Sequence, residues 1–113
     1  MSIEQTKVLD FFAIDDVTGE ALLIITDHLP WGKHDDEHLT LIQEKINVYL
    51  AFIESGEIVE RFPQSIGRGI VISWVAKFPL SRHAGEFYRL AEAAIRGAGF
   101  QLRFTMFDSQ SVN

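Results

Sequence analysis

The chain has no cysteine, only three prolines among 113 residues, and few basic side chains in its first half. Without cysteine there is no disulfide framework, no thiol nucleophile and no thiolate metal site, which agrees with a cytoplasmic protein. No apolar run approaches the roughly twenty residues that span a bilayer. The run ALLII, Ala21 to Ile25, is typical of those present, and MSIEQTKV at the N-terminus lacks the basic flank and apolar core of a secretion signal. Neither a membrane nor a nucleic acid is expected as a partner: the net charge is −6, and a phosphate-binding surface needs the opposite sign.

The charge is unevenly divided. Thirteen acidic residues stand against three lysines in residues 1–60, and three against seven basic residues in 61–113, so the halves are −10 and +4. Two such halves attract each other within one fold, or between two copies of the chain. The intramolecular arrangement is the simpler, because it requires no partner. With 47% hydrophobic and 23% charged residues, the composition is that of a globular protein rather than a disordered one. A chain of this length forms one domain, 1–113, with an ordered core over about 7–107, and buries roughly two thirds of its unfolded surface.

Periodicity supplies the elements. KVLDFFAI (Lys7 to Ile14) and EALLIITD (Glu20 to Asp27) are rich in branched and aromatic residues and flank Asp15-Asp16-Val17-Thr18-Gly19, a β-hairpin signal. A helix follows, with Asp35 or Asp36 as its N-cap and Leu39, Ile42, Ile46, Tyr49, Leu50 and Ile53 on its buried stripe, widened by Val48 and Phe52; Gly56 ends it. Residues 57–62 suit either a further helical turn or a short strand. Ile70 to Phe78 alternates as a strand, with Ile70, Ile72, Trp74, Ala76 and Phe78 on one face. Ser81 caps a second helix whose inward residues are Phe87, Leu90, Ala91, Ala94 and Ile95, and Phe100 to Phe107 is the last strand. The expected fold is α+β, a four-stranded mixed sheet with two helices packed on one face, in the order β-β-α-β-α-β. The last two strands, joined through a helix, run parallel, whereas the pattern leaves the direction of the first hairpin open.

The segment DHLPWG followed by HLTLIQEKINVYLAFIESGEI resembles a family of small bacterial proteins of unknown function. The resemblance covers most of Val8 to Phe104 and is strongest from Asp27 to Ile58. It implies a stand-alone bacterial domain and carries no activity and no catalytic residue with it.

Candidate chemistry gathers in the polar loop before the first helix, where Asp27, His28, Trp31, His34 and His38 fall within twelve residues. His34-Asp35-Asp36-Glu37-His38 matches the H-x-x-E-H of inverted zincins, but there both histidines lie inside one helix, and here the first precedes it. A plainer metal site from His34 and His38 with His28 or Asp27 has suitable ligand types without diagnostic spacing. Asp27 and His28 could also act as an acid-base pair. Against these stands the plain account, acidic residues at the positive end of a helix dipole and a solvated loop. Arg82, Arg89 and Arg96 recur every seven residues and form a stripe for an acidic partner, or a solvated ladder in which Glu86 and Glu92 pair with Arg89 and Arg96. No motif calls for a cofactor. The expectation is a non-catalytic binding or regulatory domain, with another protein or a second copy of itself as partner; a homodimer would use the strand face carrying Val71, Ser73, Val75, Arg103 and Thr105. The alternative is a small enzyme or metal binder built on the His/Asp cluster of residues 27–38.

Overall fold

A computed structural model describes residues 11–107. The elements are β1 (Phe11–Ile14), β2 (Ala21–Asp27), α1 (Asp35–Glu54), α2 (Glu57–Arg61), β3 (Ile70–Ala76), α3 (Arg82–Gly97) and β4 (Gln101–Met106), with a single 3₁₀ turn at Pro63–Ser65 before β3. The sheet order is β1-β2-β3-β4, with β1 antiparallel to β2 and the other neighbours parallel. Residues 57–69 therefore do not turn the chain back across the sheet: α1 with α2 forms one crossover and α3 the other. Successive crossovers of one hand lay α1 and α3 on the same face, where a single apolar cluster joins them to the sheet. The part of the expected first strand before Phe11 lies outside the described residues.

The hairpin forms around Asp15, whose Oδ1 accepts from the backbone N–H of Val17 at 2.8 Å and of Thr18 at 3.0 Å. These bonds, that of Thr18 foremost, hold its carboxyl below the ordinary value of 3.8. Gly19 completes the turn at φ 76, a conformation in which a side chain would be strained.

Alternation along β2 and β3 sends Leu23, Ile25, Ile72 and Trp74 under the helices. Trp74 is fully buried and sits among aromatic rings, with Phe104 edge-on at 5.3 Å and Phe87 edge-on at 6.5 Å. From α1 come Ile42, Ile46, Tyr49, Phe52 and Ile53, and the Tyr49 hydroxyl donates to the Ile24 carbonyl at 2.9 Å. The stripe differs from expectation at its edges. Leu39, Val48 and Leu50 are half-buried flanks, whereas His38 and Lys45 are buried within it. Gly56, at φ 84, ends α1 as expected, and residues 57–61 are helical.

Two helix details depart from the sequence reading. The N-cap of α1 is His34, with no side-chain capping bond, because the Asp35 carboxylate turns back to accept the Gly32 N–H at 2.6 Å. On α3, Ser81 caps as expected through the Ala84 N–H at 3.1 Å, but Leu90 is 75% exposed and Ala94 is exposed. The inward line of α3 runs instead through Ala84, Phe87, Tyr88, Ala91 and Ile95, and the Tyr88 hydroxyl donates to the Leu102 carbonyl at 3.2 Å. Leu90 and Ala94 fall beside that line, along a groove between α3 and α1. Among the described residues, no helix is long and apolar enough to cross a membrane.

Truncating Ile46, 4% exposed in the core, to alanine is expected to lower the unfolding free energy by about 2–5 kcal/mol, measured by urea denaturation. Leu90→Ala should stay within about 0.5 kcal/mol of the parent. Equal losses from the two would contradict the packing of both helices.

Candidate functional site

The site grows from the last residue of β2. Residues 21, 23, 25 and 27 of that strand all point toward the helices, so Asp27 carries a carboxylate to the helix side at the point where the parallel pair ends. The carboxyl ends of parallel strands are where open sheets of this kind leave a crevice. Asp27 is only 3% exposed, and an ionised carboxylate there requires donors. It has three. Trp74 Nε1–H donates to Oδ2 at 3.0 Å and the Leu29 N–H donates to Oδ1 at 3.1 Å. His38 Nε2 lies 2.8 Å from Oδ1 and 2.7 Å from Oδ2.

His38 comes from the first turn of α1, one helical step ahead of Ile42 on the buried stripe, and is 2% exposed. Because the carboxylate only accepts, it fixes a hydrogen on Nε2. Trp31 covers the imidazole, stacked with ring centroids 3.6 Å apart and planes 16° from parallel. It also reaches Trp74, 6.4 Å away and tilted. Over this stack opens a cleft of about 500 Å³ lined by Leu29, Pro30, Trp31, Lys33, His34, Glu37, His38 and Leu41. Two buried polar atoms of its lining residues, Trp31 Nε1 and His38 Nδ1, have no hydrogen-bond partner among the described residues.

The structure thus gathers three of the five loop candidates, Asp27, Trp31 and His38, and separates the others. His34 is on the rim, 77% exposed, in a loose 3.8 Å contact with the exposed Glu37. His28 is exposed. The two histidines of the H-x-x-E-H run do not converge: one faces solvent and the other is committed to Asp27. No group of three or more metal-ligating side chains occurs among the described residues, so neither metal reading has a ligand set. The Asp27–His28 pairing gives way to Asp27–His38, because inward Asp27 meets the helix and not its exposed chain neighbour. The arginine stripe lies elsewhere, on α3: Arg82, Arg89 and Arg96 are exposed, and Arg96 reaches Glu92 at 3.0 Å. The expected Glu86–Arg89 pair is not among the ion pairs of the described residues.

Sequence reasoning missed Trp74 as a partner of Asp27, and it missed Leu41. The signal was present. Asp27 and Trp74 both occupy inward positions of their strands, and His38 precedes Ile42 by one helical step, so three polar groups were directed into one apolar layer, where they must meet each other or remain unsatisfied.

Asp27→Asn replaces one acceptor oxygen by a donor facing other donors and should lower stability by about 1–3 kcal/mol in urea denaturation. Asp16→Asn, on the exposed hairpin loop, serves as control and should change it by less than about 0.5 kcal/mol. Indistinguishable losses would mean that the buried carboxylate does not hold the site together.

No curated protein and no solved structure matches the chain. A family model does match, over residues 1–108, and on that match the chain belongs to a family of unknown function, DUF6572.

Proposed function

We propose that the chain is a non-catalytic protein-binding module of a bacterial cytosolic protein, and that its docking point is the cleft over the Trp31–His38 stack. One observation carries this reading: an open apolar cleft lies beside a histidine–aspartate pair that is closed to solvent. A general base has to reach the proton that it removes, and here both members of the pair are buried and joined to each other. What solvent meets instead is Leu29, Pro30, Leu41 and one face of Trp31, rimmed by Lys33, His34 and Glu37. An apolar floor with a charged rim, anchored by a rigid tryptophan, is the make-up of a binding hot spot. The volume is that of an ordinary ligand cleft and admits one large side chain of a partner with its neighbours. The bacterial and cytosolic parts of the reading rest on the resemblance of the Asp27–Ile58 segment and on the cysteine-free chain.

A second copy of the chain is a further candidate partner, favoured by the sheet face opposite the helices. There Leu22, Ile24 and Val75 are half-buried with no helix of the described residues over them, although Val71 is already buried within the chain and Arg103 is engaged with Glu20 at 2.8 Å. Light scattering that gives the monomer mass at every concentration removes this partner.

For the cleft, random peptides displayed on phage would be selected against the parent protein and against Leu41→Glu, which sets a charge on the apolar floor. Selected peptides should carry an apolar anchor and bind the parent on the order of tenfold tighter than the variant. Equal binding to both would rule out the cleft as the docking point.

A further inference from the structure

The two orphaned atoms of the cleft restrict what can occupy it. Trp31 Nε1 and His38 Nδ1 belong to rings stacked at 3.6 Å, and both residues line the cleft. An indole N–H only donates. In the neutral imidazole the hydrogen held on Nε2 by Asp27 leaves a lone pair on Nδ1, which accepts. With His38 in that form, the stack sets one donor and one acceptor beside the apolar surface of Leu29, Pro30 and Leu41.

From this pairing we infer that the cleft takes an uncharged amide of its protein partner: a carbonyl accepts from Trp31 Nε1–H, an amide N–H donates to His38 Nδ1, and an adjoining aliphatic group rests on Leu29, Pro30 and Leu41. The inference rests on the reading of the cleft as a docking point and names the chemistry that it recognises. Other polar groups satisfy half of the pair. A carboxylate accepts from the indole but turns lone pairs toward Nδ1, and an ammonium donates to Nδ1 but offers nothing to the indole N–H. A hydroxyl has both functions on a single oxygen, whereas an amide carries them on separate atoms, as the two rings do. Both atoms are closed to solvent as the rings stand, so the inference requires the half-buried Trp31 ring to turn aside as the amide enters.

The test uses four small probes with one aliphatic group and different polar ends: isovaleramide, isovalerate, isoamylamine and isoamyl alcohol. Each is titrated into isotope-labelled protein while the Trp31 indole N–H and the His38 ring nitrogens are followed by NMR, the indole signal being assigned by its loss in Trp31→Phe. Isovaleramide should shift both sets of signals and saturate at a concentration on the order of tenfold below the other three. In Trp31→Phe, which keeps a stacked ring and removes the donor, that advantage should shrink to within about threefold. Equal saturation by all four probes, preference for the acid, amine or alcohol, or no shift with any of them overturns the amide. If displayed peptides still discriminate the parent from Leu41→Glu in those cases, the docking point survives and only its chemistry fails; if they do not, both readings fall.

Discussion

Everything near the open end of the sheet depends on one buried carboxylate. Asp27 receives a bond from β3 through Trp74, one from α1 through His38 and one from its own loop through the Leu29 N–H. A buried charge is tolerated only when its lone pairs are filled, so these three donors have to be in place together. Trp74 in turn sits under the aromatic cluster that α3 and β4 complete. The same interaction thus ties both crossovers to the strand between them, and it explains why a histidine belongs on the buried stripe of α1.

The alternation of β2 and β3, the spacing of the α1 stripe, Gly56 as a stop and Ser81 as a cap were legible in the sequence, because each follows from local geometry that no distant contact overrides. The parallel direction of β2 against β3 was not. It depends on residues 57–69, whose short helix and 3₁₀ turn lengthen the α1 crossover without reversing it. Leu90 was misread because hydrophobicity alone defined the stripe of α3, whereas packing centres it on Ala84, Tyr88 and Ile95, two of which are small or polar-tipped. The site was half legible. Its loop stood out by composition, but the readings that joined His34 with His38, or Asp27 with His28, used neighbours in the chain where the fold uses positions on one inward layer.

The uneven charge finds part of its answer inside the fold. Glu20, immediately before β2, meets Arg103 of β4 at 2.8 Å, and the Arg68 guanidinium donates to the Gly19 carbonyl at 2.8 Å. Both contacts close the end of the sheet opposite the Asp27 cluster. They are partly exposed, and such pairs contribute little individually. Their consequence is a division of the molecule: charged contacts fasten the hairpin end, and the buried network with its cleft occupies the other.

The first turn of α1 is fastened in an unusual place. Its cap residue, His34, supplies no side-chain bond to the free amides, and the turn is held from within, by His38 gripped between Asp27 and the Trp31 ring. Fraying of the helix start would therefore disturb the stack on which the cleft rests. A group seated against Trp31 would then bear on how firmly the leading turn is wound, and the amide protons of that turn would report it through their exchange with solvent.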